Sequence, residues 1–306
     1  MEINREEICS WLLALQGTIC TELEGLDGKA EFENDHWVRE GGGGGLTRVI
    51  RHGNIFEKGG VNYSAVHGIA PDFLISEKEH SMHASGHVDR PLFFACGLSI
   101  VIHPKNPMQP AIHMNVRYFE LENGPHWLGG GIDLSPYYVN EEDARFFHRS
   151  LKAICDRHHS GYYARFKTWA DDYFYLPHRQ ETRGIGGIFF DRLNQDEDLR
   201  FEQNLLFWKD VALGFSPLYL ELIRRNLNKP YTPRHKRWQA LRRGRYAEFN
   251  LVYDKGTRFG LETGGRTESI LMSLPPMAEW DYNQMPEPGS EEAHTQNLLR
   301  KNITWV

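Results

Sequence analysis

The sequence predicts an α+β fold built on an antiparallel sheet. Two observations predict it: β-rich runs follow one another at both ends of the chain, and the helical patterns are mostly grouped between them. A doubly wound fold would alternate strands with helices instead. No repeat, linker or run of like charge divides the chain. We therefore expect a single domain over residues 1–306, with a polar tail over residues 283–306 that is loose or helical.

The first predicted element is an amphipathic helix that begins after the N-cap residue Asn4 and ends near Gly25. Its apolar residues recur at the spacing of one helical face, namely Ile8, Trp11, Leu12, Leu15, Ile19 and Leu23. Later helices are predicted after the cap Asn140, over residues 162–175, and from about Leu199 to Leu241 with an interruption near residues 229–233.

Strands are predicted between Trp37 and about Arg117, where short β-rich runs are separated by glycine and proline. These runs are LTRVI, NIFEKGGVNYSAVHG, LFFACGLSIVIH and IHMNVRYFEL. We expect strands again near the C-terminus, in AEFNLVYDKGTRFGLE and ESILMSLPP.

The charge balance restricts the partners that the protein can bind. With 41 acidic and 35 basic residues the net charge is −6, which disfavours a general nucleic-acid or anionic-membrane binder. An anionic ligand must therefore be recognised by specific arginines. The four cysteines show no CxxC spacing and predict a reducing compartment. The acidic start and the lack of an apolar run of about 18 residues favour the cytosol.

The strand around residues 111–121 presents the most informative polar face. Side chains alternate along a strand, so His113, Asn115 and Arg117 share one side while apolar neighbours occupy the other. Ser99 and His103 share a side of the preceding strand in the same way. Alternation alone equally fits a solvent-facing sheet surface. The mixture of hydroxyl, imidazole, amide and guanidinium groups favours ligand recognition.

A second candidate lies in PHWLGGGIDLSPYY, where Asp133 is the only carboxylate among aliphatic and aromatic residues. A carboxylate in apolar surroundings needs a partner. Asp133 is therefore either functional or a turn residue that caps backbone N–H groups.

Arginines beside glycine-rich turns suggest an anionic small molecule. The run from Gly41 to Gly45 lacks the GxxxxGK[ST] spacing of a phosphate loop, and we interpret it as a flexible loop or lid, with Arg48 and Arg51 as candidates to face an anionic ligand. Arg183 follows a predicted turn, and Arg266 follows Gly264 and Gly265, whose N–H groups could line a carboxylate site. Isolated arginines, however, are usually solvated surface residues.

The metal question stays open at this level. None of the 15 histidines lies in an HExxH motif. Four could converge, but each is more often a hydrogen-bonding or acid/base residue than a ligand, and we name them only as a tentative metal set: His103, His113, His148 and His178.

Long segments of the chain resemble one family, the oxygen-dependent coproporphyrinogen III oxidases. The resemblance runs in order from about residue 5 to about residue 283, through GGGGGLTRVIRHGNIFEKGGVNYSAVHG, GLSIVIHPKNPMQPAIHMNVRYFE, HWLGGGIDLSPYY with EEDARFFH, FKTWADDYFYLPHRQETRGIGGIFFD and RGRYAEFNLVYDKGTRFGLETGGRTESILMSLPP.

The resemblance implies an enzyme of haem biosynthesis that oxidatively decarboxylates two propionates of coproporphyrinogen III, giving protoporphyrinogen IX, carbon dioxide and hydrogen peroxide. It also implies a homodimer, dimerised through about residues 246–281, whose sheet has helices on both faces. It assigns catalysis to Asp133, which would accept hydrogen bonds from the pyrrole N–H groups and so hold the ring, and to His113, which would donate a proton. The implied substrate-contacting residues are Ser99, Asn115, Val116, Arg117, Gly264, Gly265 and Arg266.

Members of the family are described both with and without a divalent metal. No flavin or nicotinamide fingerprint is found, so we expect catalysis with molecular oxygen as co-substrate and no required cofactor. Two alternatives are a metal-dependent oxygenase of another anionic substrate and a non-catalytic tetrapyrrole-binding protein.

Overall fold

The protein is described by a computed structural model over residues 4–70, 90–194, 200–262 and 264–306. Its centre is a seven-stranded antiparallel sheet with the strand order β1-β2-β3-β4-β5-β6-β9, and a short β7-β8 pair lies outside it. The strands are β1 Glu33–Val38, β2 Gly43–Arg51, β3 Phe56–Ile69, β4 Leu92–Pro104, β5 Ala111–Leu121, β6 His126–Ser135, β7 Tyr175–Leu176, β8 Glu181–Thr182 and β9 Gly187–Leu193.

Among the described residues, one helix precedes β1 and the other helices follow β6. They are α1 Arg5–Asp27, α2 Glu141–Asp156, α3 Tyr162–Tyr173, α4 Phe201–Leu213, α5 Phe215–Arg225, α6 Pro233–Glu248, a π-helical turn Phe249–Tyr253, α7 Lys255–Glu262, α8 Thr267–Leu271 and α9 Glu291–Leu298. The predicted α+β class with an antiparallel sheet is confirmed.

Helix α1 begins and ends at its predicted signals. The Asn4 side chain accepts hydrogen bonds from the N–H groups of Glu6 and Glu7, and the helix ends at Asp27. Gly28 follows in the left-handed conformation at φ 68°, which glycine adopts without steric cost. The apolar side of α1 packs on β3 and β4, and its residues Leu12 and Ile19 belong to the main core together with Ile100 of β4 and Met114 of β5.

Both faces of the sheet carry helices. Helices α1, α2, α4 and α5 bury the apolar face. Helix α3 runs beside the edge strand β9, with Phe166 against Phe190 on one face and Tyr173 stacked on Phe189 on the other. The chain after α6 covers part of that second face, because Phe249 contacts Phe174 there. The expectation of helices on both faces is confirmed.

The strands expected in residues 247–262 and 268–276 are wrong. Residues 233–262 instead form α6, the π-helical turn and α7, and residues 267–271 form α8. A short apolar run cannot be assigned to a strand or a helix from its periodicity alone. Tertiary contacts decide that this segment is helical. Tyr246 and Phe249 lie three residues apart, on one side of a helix, and both pack their rings against the guanidinium of Arg183.

The expectation of a flexible loop or lid at Gly41 to Gly45 is also wrong for most of that run. Gly43, Gly44 and Gly45 are the first residues of β2; all three pair with β3, and Gly44 and Gly45 also pair with β1. A Cβ atom on Gly43 or Gly45 would come within 2.2 Å of a carbonyl oxygen of β3, so these glycines permit close strand packing.

The C-terminal tail is helical in part and is anchored. Helix α9 is capped by Ser290, and the Leu299 carbonyl accepts a hydrogen bond from the Thr182 N–H. Trp305 is buried and stacks on His148. Within the described ranges, no helix is long and apolar enough to cross a bilayer. The four cysteines are free thiols, three of them buried.

Candidate active site

The second face of the sheet is polar at its centre, as the alternation along β5 predicts. His113, Asn115 and Arg117 are partly exposed there, while their neighbours Ile112, Met114, Val116 and Tyr118 are buried on the opposite face. Cross-strand pairing places Ser99 beside Asn115, Asn62 beside Ser99, and Thr47 beside Asn62. These four residues form a polar row across β2 to β5, with Asp35 opposite Thr47 on β1.

Asp133 lies at the β6 end of this face and pairs in register with His113. The His113 Nδ1 atom is 2.8 Å from Asp133 Oδ1. The side chain of His113 is 20% exposed and that of Asp133 only 1%, so the imidazole is the member of the pair that a ligand on the face can reach. Asp133 is thus a buried functional candidate rather than a turn residue.

The partner that Asp133 needs is Arg183. Its Nη2 atom donates to both carboxylate oxygens at 2.7 Å, and Nη1 donates to the Asn250 side-chain oxygen at 2.8 Å. Three aromatic rings surround the guanidinium, with Phe174 and Tyr246 at 4.5 Å and Phe249 at 4.7 Å. The rings exclude water and so strengthen the ion pair.

This environment keeps Asp133 ionised. Burial alone would raise the pKa of Asp133, but the Arg183 guanidinium and the hydrogen bond from His113 together lower it below its ordinary value. An ionised Asp133 accepts the hydrogen bond from His113, which places the proton of a neutral His113 on Nδ1 and leaves Nε2 as the basic nitrogen.

Arg117 is the most accessible arginine of the face. Its side chain is 38% exposed and pairs with Asp191 on β9 at 2.8 Å. The pair lies across Gly129, where a Cβ atom would come within 2.7 Å of Asp191 Oδ1 and 2.9 Å of Arg117 Nε. The missing side chain at Gly129 therefore makes room for the ion pair.

Arg266 approaches the other end of the polar row. Its Nη2 atom lies 2.6 Å from Asp35 Oδ2, and Nη1 donates to the Ser269 hydroxyl at 3.2 Å. The preceding glycines do not offer free N–H groups, because Gly265 N–H donates to the Gly260 carbonyl at 2.7 Å and Gly264 N–H lies 3.5 Å from the Leu261 carbonyl. The expected backbone carboxylate site is therefore not formed here.

Two further expectations need correction. The Val116 side chain is fully buried on the apolar face, so only its backbone can contact a ligand on the polar face. Arg48 also lies on the apolar side, close to Cys20 and to Gly17 of α1, while Arg51 pairs with Glu33. Neither arginine joins the polar row.

The four histidines of the tentative metal set do not converge. His103 contacts the Ser273 carbonyl, and His113 contacts Asp133. His148 lies in the core between the Tyr163 hydroxyl and the Ile185 carbonyl, and His178 lies on the surface between Tyr253 and Glu248. Among the described residues, no three His, Cys, Asp or Glu side chains form a group that could hold a metal ion.

Sequence reasoning missed the central role of Arg183 and the contributions of Thr47 and Asn62. Arg183 was one of several arginines near turns, and nothing local distinguishes it. The alternation of Thr47 and Asn62 with buried neighbours was a usable signal, since Leu46 and Val61 are apolar.

Fold and site together define an α+β protein with a polar sheet face, on which a buried carboxylate holds an accessible imidazole near two partly exposed arginines. Similarity to known proteins specifies this class further. The family model described as "Coproporphyrinogen III oxidase" matches residues 7–305. The chain therefore belongs to the coproporphyrinogen III oxidase family.

Curated relatives agree with the family model. The chain is 48% identical over 302 residues to "Coproporphyrinogen-III oxidase 1, chloroplastic" of Arabidopsis thaliana, covering 96% of this chain and 77% of the relative. It is 49% identical over 301 residues to "Oxygen-dependent coproporphyrinogen-III oxidase, chloroplastic" of Glycine max, covering 95% and 77%. For the mitochondrial protein of that name in Rattus norvegicus the identity is 47% over 301 residues, covering 96% and 67%.

Proposed function

We propose that this protein is an oxygen-dependent coproporphyrinogen III oxidase that converts two propionates of its substrate to vinyl groups. The observation that carries the proposal is the Asp133–His113 pair, which lies on a polar sheet face flanked by Arg117 and Arg266 in a member of this family. For each propionate the balanced reaction is R–CH2–CH2–COO⁻ + O2 + H⁺ → R–CH=CH2 + CO2 + H2O2.

The face suits a large ring with several carboxylates. The row from Asp35 to Asn115 crosses five strands, which corresponds to about 19 Å at a strand spacing of roughly 4.8 Å. Thr47 within the row is buried and bonded to the Ser269 hydroxyl, so its accessible central groups are those of Asn62, Ser99 and Asn115. Ser99 and Asn115 supply hydrogen-bonding groups along it, and the guanidinium groups of Arg117 and Arg266 can hold propionates. Each arginine is paired with an aspartate, so binding replaces one carboxylate by another.

We propose that His113 exchanges protons with the substrate while Asp133 positions it. Asp133 already accepts three hydrogen bonds and is 1% exposed, so direct contact with pyrrole N–H groups would need it to move. His113 Nε2 takes the proton of the pyrrole N–H. The CH2 group next to the ring then transfers a hydride to O2, and the resulting hydroperoxide anion takes the proton from His113.

The remaining electrons complete the vinyl group. The bond between the propionate CH2 and its carboxylate breaks as CO2 leaves, and its electron pair forms the second bond of the vinyl group. The ring nitrogen then regains a proton from solvent. The substrate supplies both electrons in this scheme, which is why we propose that molecular oxygen suffices and that no resident cofactor is required.

We also propose a homodimer and a cytosolic location. The segment tied to dimerisation by the family resemblance exposes Leu251, Val252, Met277 and Trp280, which is typical of a surface that associates with another chain. Analytical ultracentrifugation tests the dimer. The relatives are named as chloroplastic or mitochondrial, so cell fractionation is needed to test the cytosolic location.

The proposed activity predicts oxygen-dependent product formation. Coproporphyrinogen III incubated with the protein in air should give protoporphyrin fluorescence after oxidation of the product, and the anaerobic sample should not. Product without oxygen, or none in either sample, would contradict the proposal. A second sample that is exhaustively chelated and analysed for metals should keep its activity, whereas loss of activity that returns with one metal would favour a metal-dependent oxygenase.

A further inference from the structure

A small internal cavity adjoins the Asp133–Arg183 ion pair. Its walls come from β4, the start of β5, the end of β6, the segment after β8 and helix α6, and its volume of about 10 Å³ leaves room for a single small molecule. Arg183 connects the ion pair with the cavity, because its Nη2 atom donates to Asp133 and its side chain also lines the cavity. The occupant of the cavity can therefore affect the group that holds Asp133.

Five residues that line the cavity each carry one buried polar atom without a hydrogen-bond partner among the described residues: His103 Nδ1, Ser135 Oγ, Arg183 Nε, Arg242 Nη2 and Tyr246 OH. All five side chains belong to residues that are at most 6% exposed. Asn250 lies near the Tyr246 hydroxyl without completing a hydrogen bond. Each unpaired buried group costs about 1–3 kcal/mol. Five of them around one cavity therefore indicate a ligand that pairs them.

The wall specifies the kind of ligand. The two arginine nitrogens only donate. His103 Nε2 lies 2.9 Å from the Ser273 carbonyl, so it carries the ring proton and Nδ1 must accept. Burial, together with the Arg243 charge, lowers the pKa of His103 to about 3, which keeps the ring neutral. The ligand must therefore accept at least two hydrogen bonds and donate at least one. Chloride cannot donate, and dioxygen is a poor partner for either role.

We propose that this cavity binds one small hydroxylic molecule, which is water in the resting protein and hydrogen peroxide during turnover. Both molecules accept and donate hydrogen bonds through oxygen, and the second oxygen of peroxide gives it more acceptor sites for the five wall atoms. The peroxide assignment rests on the proposed function, in which two-electron reduction of O2 yields H2O2 at His113, the partner of Asp133. The cavity is then a product-binding site that the Asp133–Arg183 ion pair separates from His113.

Crystallography tests the site independently of the enzyme activity. A high-resolution crystal structure should show an ordered oxygen within hydrogen-bonding distance of Arg183 Nε and His103 Nδ1. Crystals soaked in hydrogen peroxide should show elongated density for two bonded oxygens at the same position. No ordered density would overturn the site, and an unchanged single oxygen after the soak would overturn the peroxide assignment.

Inhibition kinetics test the site in the active enzyme. Added hydrogen peroxide should inhibit protoporphyrin formation reversibly, with full recovery after catalase treatment. Tyr246→Phe removes one hydroxyl from a residue that lines the cavity and keeps the ring beneath Arg183, so the inhibition constant should rise about fivefold. The control is Tyr219→Phe, which removes a buried hydroxyl bonded to the Pro110 carbonyl instead and should leave the inhibition constant unchanged.

Equal inhibition constants for the wild type and Tyr246→Phe would overturn the proposal. If the wild type forms no protoporphyrin at all, the proposed function fails, while the density at the cavity still decides whether the site exists.

Discussion

The buried Asp133–Arg183 ion pair makes a specific prediction about how stability depends on pH. Arg183→Met removes the guanidinium and leaves a carboxylate that is 1% exposed. Removing one partner of a buried pair typically costs about 3–5 kcal/mol, because the other charge stays uncompensated. The substitution keeps an apolar side chain among the rings of Phe174, Tyr246 and Phe249, so packing is largely retained.

The direction of the pH dependence follows from the pKa of Asp133. In the wild type, burial is outweighed by Arg183 and His113 and the pKa is lowered, so the carboxylate stabilises the fold above its unfolded pKa of about 3.9. That contribution is lost only as pH falls through the lower folded value. Without Arg183, burial dominates and the folded pKa rises, so stability decreases as pH increases from about 4 to the new folded pKa.

The expected slope is up to about 1.4 kcal/mol per pH unit, the value for one proton. Urea unfolding followed by tryptophan fluorescence at pH 5, 6, 7 and 8 measures it. The difference between wild type and Arg183→Met should grow with pH until the new folded pKa is passed. The control is Arg179→Met at a 38% exposed arginine paired with Glu248, where we expect a loss of about 1 kcal/mol or less. A pH-independent difference for Arg183→Met would refute the reasoning.

Three further predictions concern the polar face and are read from the formation of protoporphyrin. Asp133→Asn should lower kcat by orders of magnitude because His113 loses its ionised partner, and near-normal turnover would remove Asp133 from the mechanism. Asp35→Asn frees Arg266 from its ion pair and should lower KM for the porphyrinogen severalfold; an unchanged or higher KM would count against a propionate at Arg266. Arg117→Met should raise KM about tenfold or more with kcat largely kept, since one charge-assisted hydrogen bond is lost, whereas an unchanged KM would exclude Arg117 from binding.

Local patterns in the sequence were sufficient for several parts of this protein. The period of two along β5 separated His113, Asn115 and Arg117 from their buried neighbours, because alternation is a property of the strand itself. The cap at Asn4 marked the start of α1, because an N-cap depends only on the residue itself and the first turn of the helix. The apolar surroundings of Asp133 showed that it needs a partner, although they did not show which one.

Features that depend on packing were not predictable in this way. The prediction of strands after Tyr246 was wrong because the apolar residues of that segment lie on helical turns that pack against Arg183. The prediction of a loop was wrong for Gly43 to Gly45, which are strand residues. The four histidines of the metal set lie on separate elements with different partners.

The sequence by itself determined the α+β class, the polar side of β5 and the membership of a family, since these are carried by short-range periodicity and long matching segments. Only the tertiary structure decided that Arg183, 50 positions from Asp133 in the sequence, forms the ion pair with Asp133 and lines the adjoining cavity. The physical reason is that an ion pair and a cavity wall depend on distances in space between side chains from different elements. No local pattern encodes those distances.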